Sequence, residues 1–407
     1  MVYFTEVALS FHCIFDSSKE IYMLVSLRLR YFLLQFRLIG LLLQKIIPAL
    51  MLIFTVADAH AQFRKYSNEF LNIGAGARGL AMGNAQVALV NDATAGYWNP
   101  SQLVEVKDHP QLSLMHADYF AGIAKYDYAA LAIPSKDNNR TMGISLLRFA
   151  VDDIPNTLFL VEPDGSLNYN NIQTFSSADY ALLFSYAQEW KKTDKYTLNI
   201  GGNAKVIYRK VGSFANAFGF GVDASLTLNA EKWRAAVMLR DATTTYNAWK
   251  FNFTEREKQA LYLTNNDIPV TSTEMTSPRL TIGGAYMLPI NKQLQITGEA
   301  DLDVTFDGKR NTLVSSAVSI DPHAGVELAY MQQFFLRGGI TNFQRALADA
   351  DTLNQKKVWI FQPCIGGGFK YKNVTVDYAF TNLANQENPL YTHVFSLKLN
   401  LIKRKEN

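Results

Sequence analysis

The stretch "LQITGEADLDVTF", Leu294 to Phe306, permits few folds. Leu294, Ile296, Gly298, Ala300, Leu302, Val304 and Phe306 fall on one face of an extended chain. Gln295, Thr297, Glu299, Asp301, Asp303 and Thr305 fall on the other. Side chains of a strand alternate between faces, so one face here is apolar and the other strongly charged. The period recurs in Phe395, Leu397, Leu399 and Leu401 against Ser396, Lys398 and Asn400. It recurs again in Trp233, Ala235, Val237 and Leu239 against Arg234, Ala236, Met238 and Arg240. Roughly 14 such runs follow residue 110, an even number within the range of outer-membrane barrels. They lie near 111–120, 124–134, 141–150, 175–189, 196–211, 215–229, 232–242, 278–289, 292–306, 319–331, 333–344, 358–371, 373–381 and 391–402.

The connections sort by length. Every second one is tight, as at 192–194, 230–231 and 332–333. Most of the others are long: 151–174, 243–277, 307–318, 345–357 and 382–390. The first, and the one at 212–214, are short. A barrel with periplasmic turns and extracellular loops gives this alternation, and a β-sandwich has no cause to. Within 243–277, Thr254 precedes Glu255 and Glu257, which predicts a capped short helix ended by "NNDIP". Composition agrees. Charged residues are 18%, aromatics 13% and mean hydropathy −0.04, which excludes a bundle of membrane helices. A net charge of +3 gives no case for a nucleic-acid partner.

The N-terminal region reads as a targeting segment. Lys45 precedes the apolar run Ile46–Val56, and Ala59 and Ala61 form an A-x-A cleavage site. Arg28, Arg30 and Arg37 interrupt the apolar material before it, so either translation starts downstream of Met1 or the signal is unusually long. The competing reading is a membrane helix around 31–56. Loss of 1–61 removes Cys13 and leaves Cys364 as the lone thiol, without a disulfide or thiolate cluster.

Residues 74–79, "GAGARG", spell G-x-G-x-x-G. A dinucleotide turn must follow a buried strand and open a helix. Here "FRKYSNEFLNI" precedes it and alternating strands follow, so no cofactor is expected. Small residues from Gly74 to Ala88 instead allow close backbone approach, as a segment folded inside a narrow lumen needs. Asn91 or Asp92 is a helix-capping candidate, and Tyr97-Trp98-Asn99-Pro100 reads as a stop.

Residues 74–103 resemble the N-terminal signature of the PorV/PorQ family of outer-membrane proteins, related to the long-chain fatty-acid transporter FadL. The matching blocks are Arg78-Gly79-Leu80-Ala81-Met82-Gly83, Asp92-Ala93-Thr94-Ala95 and Tyr97-Trp98-Asn99-Pro100. Val376–Leu399 is similar to the family's last hairpin, and Ile268-Pro269 and Ser277–Tyr286 fit as well. The resemblance spans 66–402. It implies a 14-strand barrel plugged by an N-terminal hatch, serving the type IX secretion system through translocon or attachment-complex proteins and cargo C-terminal domains. The chain departs from many barrels in ending on "IKRKEN" rather than an aromatic.

His109, His116, His323 and His393 are scattered without metal spacing, and Ser113 and His116 fall on opposite faces of one strand. Neither pattern supports an enzyme. Arg234, Arg240, Glu299, Asp301, Asp303, Arg337, Asp377 and Lys398 are candidate lumen charges, since a charge facing lipid costs ~2–4 kcal/mol at midplane. Lumen ion pairs and a transport path are the two readings of them.

The expected organisation is all-β: a signal at 1–61, a hatch at 62–106, a transmembrane antiparallel barrel of about 14 strands at 107–402 and a periplasmic tail at 403–407. Two functions follow. One is a non-enzymatic component of the type IX apparatus, bound to outer-membrane lipid. The other is a FadL-like channel with a hydrophobic ligand in its lumen. A greasy cavity beside Tyr97 and Trp98 would favour the channel, and a closed polar plug the first.

Overall fold

The computed structural model describes residues 67–162, 164–268, 272–306, 313–314, 318–347, 357–381 and 391–401. The expected signal with Cys13, the first residues of the expected hatch, Pro269 and the tail lie outside these. Strands β1 (Gln111–Tyr119), β2 (Ala124–Pro134), β3 (Arg140–Asn156), β4 (Gln173–Lys192), β5 (Tyr196–Val211) and β6 (Ala215–Ala230) come first. Then follow β7 (Trp233–Arg240), β8 (Thr245–Phe251), β9 (Ser272–Thr276), β10 (Arg279–Pro289), β11 (Leu294–Thr305) and β12 (Leu313–Val314). The last are β13 (Ser319–Tyr330), β14 (Phe334–Leu347), β15 (Lys357–Tyr371), β16 (Val374–Thr381) and β17 (Thr392–Asn400).

All neighbours pair antiparallel, and the sheet closes because Leu114 of β1 pairs with both Ala129 of β2 and Leu397 of β17. β7 and β8 share one edge of β6, pairing with Ala224–Asn229 and Ala215–Phe220 respectively, so they are one interrupted strand. β9 and β10 pair with β8 and β7 in turn and form a second. β12 is a short flap before β13. Counted this way, the wall is a closed barrel of 14 strands.

The alternation in the sequence is the section through this wall. Phe184, Phe220, Val326, Leu336 and Phe395 are exposed outward, whereas Lys205, Asp223, Glu299, Asp301 and Arg337 are buried inward. A soluble sandwich has the opposite sense. Tyr180 and Trp190 point outward ten residues apart on β4, and other aromatic residues flank the belt at Tyr208, Phe218, Trp233 and Tyr286. Ten residues on a strand tilted ~40° rise about 25 Å, the height of a lipid-facing apolar band. Tight turns after β2, β4, β6, β10, β13 and β15 gather at one end, and the longer connections at the other.

Two expectations need correction. The 243–277 segment is not one loop, because β8 and β9 run within it around the short helix. The third and fourth runs also extend further, to Asn156 and from Gln173, so less of 151–174 is loop. The break between β7 and β8 is held by buried Lys205, whose Nζ lies 2.7 Å from Asp223 and 2.6 Å from Asp241.

Residues 67–106 pack against the inward faces of the strands. They form two 3-10 turns, Glu69–Asn72 and Pro100–Glu105, and the short helices α1 (Ala77–Ala81) and α2 (Ala95–Trp98). Asn99 accepts from Ser101 N at the second turn, with Pro100 at its first position, so the Trp-Asn-Pro block ends α2 and starts the next turn.

Candidate functional site

Two parts of the lumen carry polar or ligand-sized features: the ring where residues 67–106 meet the wall, and the mouth at the long connections. The ring is an ionic chain. Arg78 on α1 donates from Nε and Nη2 to Glu327 of β13, at 3.0 and 3.1 Å, and from Nη1 to Asn91 at 2.8 Å. Glu327 also accepts from Nε of Arg337 on β14 at 2.6 Å, and Arg337 Nη1 reaches Asp377 of β16 at 2.7 Å. Paired and hydrogen-bonded like this, charges can sit in a low-dielectric lumen.

Glu299 and Asp301 make no ion pair among the described residues, which corrects the ion-pair reading for both. Asp301 accepts the backbone N–H groups of Gln86 and Val87 at 2.9 and 3.1 Å, and Glu299 accepts those of Ala88 and Leu89. Arg240 makes no ion pair among the described residues either. It donates to the carbonyls of Leu71 and Tyr97, and its guanidinium lies 4.6 Å from the Tyr97 ring centre. Asp303 lies 3.5 Å from Arg279 and 3.3 Å from His323, and Arg234 lies 3.4 Å from Glu105.

Asp92 does not cap α2. Its Oδ1 accepts from Thr94 N at 2.9 Å in a local turn, and its Oδ2 accepts from Lys398 Nζ at 3.1 Å. Burial pushes the Asp92 carboxyl up, but Lys398, the Thr94 hydroxyl and Arg78 outweigh it and hold the pKa at about 2. The folded pKa lies below the free one, so this stabilisation is full above the usual value of 3.8 and is lost as pH falls toward about 2. Docking of residues 67–106 should therefore persist at pH 5 and loosen only below 4. Proteolysis of the detergent-solubilised barrel along a pH series checks this, and Asp92→Asn should remove the step.

The remaining motif residues pack. Tyr97 Oη accepts from Gly74 N at 2.9 Å and donates to Leu71 O at 2.7 Å, and Trp98 Nε1 donates to Ala75 O at 2.7 Å. Gly79 lies under Trp98, where a Cβ would fall 2.7 Å from the indole. Asn99 bridges Val87 O and Thr227. Met82 is fully buried. Gly83, at φ +65°, lies on the Ile340 backbone, and Met82 lies on Gly325 and Gly339. Those wall glycines, with Gly201 under Pro100 and Gly366 under Ala81, escaped the sequence reading. Their signal was glycine on the inward face of a strand, which marks close backbone approach.

The cavity beside Tyr97 and Trp98 is polar. It measures about 510 Å³ and is lined by Arg240, Arg279, Asp301, Asp303, Asp321 and His323. The apolar cavity is elsewhere, at the long-connection mouth. It measures about 560 Å³, with Leu158, Phe175, Phe214, Trp249, Phe251 and Leu261 in its lining. Phe175 and Phe214 meet edge to face at 5.2 Å, and Phe251 and Phe253 stack at 6.2 Å. Helix α3 (Glu255–Leu263), with the expected cap at Thr254 completed by Glu257, supplies Leu261.

Solved structures share this architecture. The TodX deltaS2S3 mutant, a monoaromatic hydrocarbon channel, is 15% identical, with 81% of this chain and 99% of that one covered at a TM-score of 0.50. The Pseudomonas putida toluene transporter TodX is 13% identical over 81% and 98% of the two chains, at 0.49. A Pseudomonas aeruginosa FadL homologue is 11% identical over 80% and 97%, at 0.44. The sequence matches no protein-family model and no curated protein. At these identities the likeness is one of fold, an outer-membrane-type barrel of 14 strands, and it does not single out PorV/PorQ proteins.

Proposed function

We propose that this chain is an outer-membrane barrel that takes up hydrophobic small molecules, first bound at the long-connection mouth. The observation that carries this reading is the aromatic cavity around Phe175, Phe214, Trp249 and Phe251. Its volume of about 560 Å³ lies within the ~300–1,000 Å³ of small-molecule sites, and its lining is mostly apolar. The fold it shares with hydrocarbon channels is consistent with that use. On this reading 1–61 leaves as a secretion signal, 62–106 is the hatch, 107–402 spans the membrane and 403–407 ends in the periplasm. Oleate and toluene titrated into the detergent-solubilised protein should bind. Phe251→Glu should weaken both at least tenfold, because a charged carboxylate replaces apolar contact with the ligand. Equal affinity of the two proteins would sink the proposal.

A second reading is a PorV-type component of the type IX secretion system. The polar, ion-paired hatch beside Tyr97 and Trp98 favours it, because an apolar solute gains nothing from that lining. Affinity purification from solubilised outer membranes separates the two. Translocon or cargo proteins recovered with both wild type and Phe251→Glu support secretion, and their absence from both counts against it.

A further inference from the structure

The ionic chain around Arg78 borders a second polar cavity, at the short-turn end of the barrel. It measures about 160 Å³, room for roughly five waters at ~30 Å³ each. Arg78, Arg234, Arg337, Lys370 and Lys398 line it, and Glu327 is the one acidic side chain in its lining. They converge from α1, β7, β14, β15 and β17, so the cationic groups come from several directions.

The carboxylates around them do not use every donor. Glu327 takes Arg78 and Arg337, Asp377 takes Arg337, Asp92 takes Lys398, and Glu105 takes Arg234 Nη2 at 3.4 Å. Arg234 spends only Nη2 on Glu105, and its Nη1 makes no hydrogen bond among the described residues. The Lys370 ammonium makes no ion pair or side-chain hydrogen bond among the described residues. Thr297, Thr375, Gln295 and Gln332 add neutral polar groups to the lining.

We propose that this cavity is an anion site for a phosphate-type oxyanion, with Arg234 and Lys370 as its main donors and Arg337 and Lys398 completing it. A planar carboxylate is satisfied by one guanidinium fork, whereas a tetrahedral oxyanion accepts from several directions at once. The site is independent of the apolar mouth, so it holds whichever function is correct. The phosphate is either free or the terminal group of a larger solute, and the cavity's size limits what enters to that group.

Calorimetry on the full barrel in detergent, at low ionic strength, tests this with inorganic phosphate, pyrophosphate and acetate. Phosphate should bind with 1:1 stoichiometry and acetate at least tenfold more weakly. Tighter binding of pyrophosphate would identify the terminal group of a larger solute, and tighter binding of phosphate the free ion. Lys370→Ala, at an exposed position, should weaken phosphate about tenfold while leaving heat-modifiable gel mobility unchanged. Arg234→Gln should do the same, and Lys370→Arg should retain binding. No heat from phosphate or pyrophosphate, acetate binding as tightly, or Lys370→Ala binding like wild type would each overturn the proposal.

Discussion

Gly339→Ala is expected to unseat residues 67–106 from the wall, although it adds a single methyl group. Gly339 faces inward on β14, and a Cβ there would overlap the Met82 carbonyl carbon and the Gly83 nitrogen. Both are backbone atoms and cannot turn aside as a side-chain tip could. Gly325 meets the same Met82 from β13, where a Cβ would lie 2.8 Å from the Met82 Cβ. The segment must therefore shift, which draws Arg78, four residues earlier, away from Glu327. Overpacking of this kind costs about 1–3 kcal/mol. The adjacent Gly338 is the internal control. It faces outward, and its nearest neighbour to a new Cβ is Cys364 O at 3.9 Å, so Gly338→Ala should change stability by less than ~0.5 kcal/mol. Limited proteolysis within 67–106 and the thermal midpoint in detergent distinguish the two. If both variants behave alike, the segment is not seated on this glycine.

This contrast also shows what was legible in the sequence. The barrel was legible because lipid and lumen impose opposite demands on alternate residues over many turns. Leu302 against Asp301 and Phe395 against Ser396 could be read without any partner strand in view. β8 was missed because that logic lapses at the mouth. Its inward Thr245, Asn247 and Trp249 and outward Tyr246, Ala248 and Lys250 mix polar with apolar on both faces. A strand flanked by water on its outer side is under no pressure to separate them. Arg78 and Asp92 stood out as motif residues, but their partners Glu327 and Lys398 lie hundreds of positions away and only the strand order brings them together. The apolar cavity was illegible for the same reason, since Phe175 on β4, Phe214 between β5 and β6 and Trp249 on β8 meet only in the closed barrel.

Arg337→Ala is expected to be the most destabilising substitution of a single charge in the ionic chain. The Arg337 side chain is 2% exposed and bridges Glu327 and Asp377, themselves 8% and 9% exposed. Removing it leaves Glu327 with Arg78 but deprives Asp377 of its only cation among the described residues. An uncompensated buried carboxylate costs about 3–5 kcal/mol, read as a lower urea or thermal midpoint in detergent. Arg337→Lys should recover little, because one ammonium cannot serve both carboxylates as the fork of Nε and Nη1 does. Adding Asp377→Asn to Arg337→Ala should recover part of the loss, since the stranded charge is then gone, and the cycle should return about 0.5–3 kcal/mol of coupling. A cycle that closes at zero would mean Asp377 draws its compensation from elsewhere. The loss would then reflect the cavity left by the guanidinium rather than the broken bridge, and the chain from Arg78 to Asp377 would be packing rather than electrostatics.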